Sequence, residues 1–143
     1  MTRIWRAKQA SGDWLGAALA NRGLANQEEI ESFFDPTYED CHDPFLLSDM
    51  KRAVRRIQAA LAKNEKITIY ADYDADAVTA SAVLMRFLRK EGHKNLDYYI
   101  PDRFAEGYGV NLEAIKTLAG QGTNLIITVD CGINAFDCVD LAT

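Results

Sequence analysis

Long apolar runs are missing from this 143-residue chain. No stretch approaches the roughly 20 residues that a membrane-spanning helix needs, so no membrane partner is expected. The start carries Arg3, Trp5 and Arg6 without a following apolar segment, which is not the layout of a secretory signal, and a cytoplasmic protein is the default expectation. Cysteine is sparse: Cys41, Cys131 and Cys138 are odd in number and lack the close pairing of a zinc site, which argues for reduced, mostly buried thiols. Histidine is sparser. His42 beside Cys41 is too little for a metal site, and His93 after Gly92 is expected in an exposed turn. An excess of positive charge is also missing, since 16 basic against 21 acidic residues leave a net charge of -5. Contact with a polyanion would therefore need local basic patches, or metal ions that reverse the sign of an acidic pocket.

What is present suits one globular domain with a real core, at 48% hydrophobic and 26% charged residues, with no internal repeat and no low-complexity segment. Residues 13–22 place Trp14, Leu15, Ala18 and Leu19 at helical spacing ahead of Gly23, which falls where a C-cap belongs. Asn26, with Glu29 three residues later, opens a second helix as a capping box, and Asp35-Pro36 ends it. The connecting stretch 37–47 contains Asp43-Pro44-Phe45-Leu46-Leu47, expected as a loop pinned down by apolar side chains. Residues 48–63 predict the clearest helix. Met50, Ala53, Val54, Ile57, Ala60 and Leu61 form its core stripe, and Lys51, Arg52, Arg55, Arg56 and Lys63 a basic face that is either solvated or able to track a phosphate backbone.

From Lys66 onward strands alternate with helices: strands at 67–71, 96–100 and 124–129, helices at 77–90 and 112–119. That alternation predicts an α/β fold, an incomplete parallel sheet with crossover helices preceded by short N-terminal helices. Residues 1–47 are expected to form a helical and loop extension packed on the core, and 48–143 the sheet domain. Ile133, Phe136, Val139 and Ala142 begin one more helical stripe with no closing residue, so the fold is expected to be interrupted with a sheet edge uncovered.

Residues 70–81, YADYDADAVTAS, place Asp72, Asp74 and Asp76 directly after the first strand. Carboxylates crowded this closely are tolerated where water screens them, with Asp76 as a helix N-cap, and are useful where a divalent cation neutralises them. Asp130 closes the third strand as Asp72 closes the first. In a parallel sheet both lie at the carboxyl edge, where ligands bind, and such carboxylates suit magnesium or manganese. Two ions roughly 3.5 to 4 Å apart would activate a water and stabilise charge on a transferring phosphoryl group. A second distinctive stretch runs from Ile100 to Asn111. Gly107 and Gly109 permit a tight course, Tyr108 offers an aromatic face, Arg103 a bidentate phosphate donor, and Asn111 a helix cap.

Taken together, YADYDADAVTAS, IPDRFAEGYGVN and LIITVDCGI, in that order and spacing, resemble the RecJ-type single-stranded-DNA-specific exonucleases of the DHH phosphoesterase superfamily. The upstream Trp5, Asn21-Arg22-Gly23, Phe33-Phe34-Asp35-Pro36 and Asp43-Pro44-Phe45-Leu46-Leu47 fit as well, and the likeness corresponds to the N-terminal part of those longer proteins. The resemblance implies a Rossmann-like DHH-type domain and metal-dependent hydrolysis of single-stranded DNA from its 5′ end, in repair and recombination. It implies Asp74, Asp76 and Asp130 as catalytic carboxylates that ligate Mn2+ or Mg2+, Asp130 bridging, and Asp72 as a further ligand or a support behind one. It places the loop carrying Arg103, Tyr108 and Gly109 beside the active cleft as a substrate-binding segment, and it says nothing of oligomeric state. Three departures accompany it. The Asp-His-His motif is absent and is expected just beyond Thr143, so the isolated chain is expected to be inactive. Ala77 stands where the family has glycine, with a cost on the order of 1 kcal/mol if that position needs positive φ or close ligand approach. Tyr70 and Ala71 stand where relatives often have His or Gly. A catalytically degenerate binding module and a small-substrate phosphoesterase of the same superfamily are the alternatives.

Overall fold

The computed structural model describes residues 13–143, so the Trp5 start lies outside the described residues. Two compact units divide the chain, Met1–Leu47 and Ser48–Thr143. In the first, each helix opens on a side-chain cap. Asp13 Oδ1 accepts the Gly16 N–H at 3.0 Å to start α1 (Trp14–Asn21). For α2 (Gln27–Phe34) the predicted capping box forms: Asn26 Oδ1 accepts the Glu29 N–H at 2.9 Å and Glu29 Oε2 accepts the Asn26 N–H at 3.4 Å. Asp43 Oδ1 accepts the Phe45 N–H at 2.9 Å and nucleates a 3-10 turn, Pro44–Leu46. The apolar side chains after it differ from expectation: Phe45, Leu46 and Leu47 are exposed.

In the second unit, α3 (Met50–Ala62) starts later than its pattern suggested because Asp49 takes a left-handed conformation, φ 61. Its Ile57, Ala60 and Leu61 pack with Ile67, Ile69 and Leu88. One member of its basic face has a structural task. Arg56 reaches Glu65 at 2.7 Å and the Asn124 carbonyl oxygen at 3.0 Å, tying the helix to the segments that enter two strands.

The strands are β1 (Ile67–Ala71), β2 (Leu96–Tyr99) and β3 (Leu125–Val129), in the spatial order β2-β1-β3. Both pairings are parallel, with Ile67 opposite Leu96 on one side and Leu125 on the other. Every residue of β1 is buried, as suits a central strand covered on both faces, and the Thr68 hydroxyl inside it pairs with that of Thr123 at 2.8 Å. Alternation sorts its side chains. Ile67 and Ile69 join the cluster with Ala60 and Leu88, while Tyr70 joins Ala114, Leu118 and Cys131 on the other face. Helix α4 (Ala75–Lys90) follows β1, and α5 (Leu112–Gly120) lies between β2 and β3. This is the α/β parallel sheet with crossover helices that the alternation predicts.

Two expectations are corrected. His93 is not an exposed turn residue but buried. Gly92, at φ 87, turns the chain so that the His93 N–H reaches the Leu88 carbonyl oxygen at 3.1 Å, and the ring Nε2 pairs with the Asn95 carbonyl oxygen at 3.1 Å. The last helix, α6 (Phe136–Ala142), begins after Ile133, which is 90% exposed, and its buried residue is Cys138, whose thiol donates to the Val110 carbonyl oxygen at 3.5 Å. The predicted stripe was one turn too long and faced the wrong way. Of the thiols, Cys131 and Cys138 are buried and Cys41 is exposed.

Candidate active site

Asp72 is the first residue past β1 and is itself buried, with Oδ1 accepting the Tyr73 N–H at 2.8 Å. Asp74, rather than Asp76, is the N-cap of α4: its Oδ1 accepts the Ala77 N–H at 3.0 Å. The helix therefore starts two residues earlier than predicted. Asp76 falls in its first turn, where the positive end of the helix dipole favours a carboxylate. The parallel pairing sets Ala71 opposite Val129, so Asp72 and Asp130 leave adjacent strands at the same level. Asp130 holds φ 55, a left-handed conformation that Asp adopts at modest cost.

The electrostatics agree that these carboxylates are neighbours. Asp130 has its carboxyl pushed above the usual range, first by desolvation and then by Asp74, Asp76 and Asp72, with a hydrogen bond to Asp74 adding to the effect. Among the described residues no ion pair involves any of the four. Hard oxygen donors gathered without a cation among them fit a divalent ion in chemistry. They do not enclose one: among the described residues no three His, Cys, Asp or Glu side chains form a metal-holding group. Asp72 and Asp74 each commit one oxygen to a main-chain N–H and, among the described residues, keep the other free of such a bond.

The loop after β2 reaches this turn. The Arg103 guanidinium lies over the Tyr73 ring, 5.1 Å from its centroid, and forms no ion pair among the described residues. Tyr108 is exposed, and its phenol is pushed up by desolvation and then by Asp72, Asp130, Cys131 and Asp74, which places it beside the acidic turn. Gly109, at φ +84, approaches the turn after β3 so closely that a Cβ there would lie 3.7 Å from the Cys131 carbonyl oxygen. The structure thus brings Arg103, Tyr108 and Gly109 to the same edge as the aspartates.

Sequence reasoning missed what holds that loop. The Tyr70 phenol donates to the Gly109 carbonyl oxygen at 3.0 Å and accepts from Asn111 Nδ2 at 3.3 Å, and its ring packs 5.1 Å from that of Tyr99. Tyr99 in turn donates to Glu106. The signal was a tyrosine in the central strand, whose hydroxyl needs a partner once buried. Tyr73 was likewise overlooked. Ala77 raises no conformational difficulty: it is buried within α4, and the non-glycine residues with positive φ among those described are Asp49, Asn64 and Asp130.

Carboxylates at the carboxyl edge of a parallel sheet, with the loop of the neighbouring strand beside them, mark an α/β protein with an acidic sheet edge. The chain belongs to the DHH family, whose N-terminal domain matches residues 66–143. It is 44% identical over 121 residues to the single-stranded-DNA-specific exonuclease RecJ of Bacillus subtilis (strain 168), covering 85% of this chain and 15% of that protein. The exonuclease of the same name from Thermus thermophilus is 37% identical over 136 residues, 90% of this chain and 18% of that one. Among solved structures, an exonuclease RecJ bound to manganese superposes with a TM-score of 0.59 at 35% identity, over 66% of this chain and 24% of that chain. RecJ from Thermus thermophilus in complex with Mn2+ gives 0.58 at 27% identity, over 82% and 15%. The chain spans well under a quarter of the length of the curated relatives it matches.

Proposed function

We propose that this chain is the N-terminal part of a divalent-metal-dependent exonuclease that hydrolyses single-stranded DNA from its 5′ end. The observation that carries the reading is the parallel pairing of β1 with β3, which brings Asp72 and Asp130 off adjacent strands at one sheet edge, with Asp74 and Asp76 at the start of the helix that follows β1. The names of the relatives and the manganese in two of their structures support the substrate and the ion. Asp74, Asp76 and Asp130 would hold Mn2+ or Mg2+, with Asp72 as a further ligand or a support behind one. Bound there, one or two such ions would supply an activated water and charge stabilisation at phosphorus. The chain's own residues do the rest. Asp130, just past β3, and Asp74, at the start of α4, provide anionic oxygens, Arg103 offers guanidinium donors to a backbone phosphate, and the Tyr108 ring offers a face to a base.

A catalytically degenerate binding module is the competing reading, favoured by carboxylates that, among the described residues, enclose no metal-holding group. Manganese titration of the purified 143-residue chain, followed by electron paramagnetic resonance, separates the possibilities. The expected result is weak binding that Asp130→Ala weakens further, with no DNA degraded. Binding indifferent to both Asp130→Ala and Asp74→Asn would overturn the metal assignment. Robust metal-dependent digestion by the pure chain, lost in Asp130→Ala, would overturn the expectation that the isolated chain is inactive.

A further inference from the structure

Glu106 is exposed, yet its two carboxylate oxygens meet three donors. Oε2 accepts from the Tyr99 phenol at 2.5 Å and from Asn111 Nδ2 at 3.1 Å, and Oε1 accepts from the Asp102 N–H at 2.9 Å. Since every partner donates, an ionised carboxylate with acceptors on both arms suits the position. Glutamine would turn one arm into a donor and leave at least one of the three facing another donor. The Tyr99 hydrogen bond is also the main reason that the Glu106 carboxyl lies below its ordinary range.

The three donors come from distinct places. Tyr99 ends β2, Asp102 opens the loop, and Asn111 caps α5, its Oδ1 accepting the Ala114 N–H at 2.7 Å. Glu106 therefore ties the entrance and the exit of the loop to its middle. Inside that closure, Asp102 Oδ1 accepts the Phe104 and Ala105 N–H groups at 2.8 and 2.9 Å, which shapes the turn that presents Arg103 to the Tyr73 ring. Tyr108 and Gly109 follow directly.

We propose that Glu106 is a positioning residue: its carboxylate latches residues 101–109 so that Arg103 and Tyr108 overhang the acidic turn, without itself touching metal or DNA. The functional half of this statement rests on the exonuclease reading above; the latch itself does not. An opened loop would present the Arg103–Phe104 bond to protease, because local opening is what exposes a hydrogen-bonded loop.

The test uses the 143-residue chain with Glu106→Gln, Tyr99→Phe and the double variant, read by trypsin nicking after Arg103, by manganese affinity, and by affinity for a 5′-phosphorylated oligothymidylate with manganese present. The expected result is nicking about fivefold faster in Glu106→Gln, a modest factor because the carboxylate is solvent-exposed, with the double variant less than the sum of the singles. Manganese affinity stays unchanged while oligothymidylate affinity falls by a similar factor. Tyr99→Phe retains the ring and guards against a Glu106 variant that fails to fold. Unchanged nicking in both single variants overturns the latch. Faster nicking with oligothymidylate affinity intact, or with manganese affinity lost in parallel, overturns the positioning role. Should the unsubstituted chain bind neither manganese nor oligothymidylate, the exonuclease reading and the positioning role built on it fail together, and the nicking rates still decide the latch.

Discussion

Tyr70 in the central strand and Gly109 in the loop after β2 are 39 residues apart in sequence, and the phenol of the first donates to the carbonyl oxygen of the second at 3.0 Å. The hydrogen bond joins the buried floor of the crevice to its overhang. Tyr70→Phe keeps the ring in the core and removes that tie, leaving Asn111 Nδ2 one acceptor fewer. Chemical denaturation is expected to show a loss of about 1 kcal/mol with an unchanged slope.

The Tyr99 phenol is pushed up to about 12, first by its hydrogen bond to Glu106. A phenol whose folded pKa exceeds its unfolded value of about 10 contributes stability that is complete below that value and lost as pH rises through about 12. Absorbance titration of the phenolates is expected to show one fewer late-ionising group in Tyr99→Phe, and earlier ionisation of Tyr99 in Glu106→Gln. A Tyr99 titration unmoved by Glu106→Gln would contradict this coupling.

Gly109 takes φ +84, and a methyl group there would meet the Cys131 carbonyl oxygen at an ordinary contact distance of 3.7 Å. The cost of Gly109→Ala is therefore backbone strain rather than collision, about 1 kcal/mol in thermal or denaturant unfolding. A much larger loss would mean that the loop cannot give at this point.

Asp130 combines a left-handed backbone with three carboxylate neighbours. Asp130→Asn keeps the shape, tolerates the conformation and removes the repulsion. Its unfolding midpoint at neutral pH is expected to rise while manganese binding falls, a trade between stability and function measurable in one variant. A lower midpoint would show that the aspartate is held by something other than its neighbours' repulsion.

Ala77→Gly introduces the residue that the family resemblance led one to expect at a position that is helical here. The expected outcome is a loss of up to about 1 kcal/mol with no gain in manganese affinity, since glycine adds chain entropy in a helix and no positive φ is being relieved. A gain in affinity would show that the alanine methyl obstructs the ion.

The sheet was legible because β1 is a run of apolar residues bounded by a charged residue on one side and aspartates on the other, and because the intervening helices kept their own period. That Asp130 and the Asp74 turn share the carboxyl edge followed from parallel strands, but their nearness depends on β3 pairing directly with β1, which the sequence leaves open. The identity of the helix cap did not. Asp74 and Asp76 are equally good caps by type, and the choice depends on where the chain leaves the strand. His93 was misread because its burial comes from a backbone turn at Gly92 rather than from any apolar pattern. The Tyr70, Tyr99, Glu106 and Asn111 network was invisible for a related reason: its members lie on β1, β2, the loop and α5, and only the fold brings them together.

The loop leaving β2 passes over the end of β1 and comes to the turn leaving β3, where Gly109 faces the Cys131 carbonyl oxygen. The loop's main chain is thus held at two points, by the Tyr70 phenol on the Gly109 carbonyl oxygen and by the approach of Gly109 to the turn at Cys131. Exposed side chains such as Phe104 and Tyr108 can then change without loosening the loop, because its course is fixed by main-chain partners rather than by them.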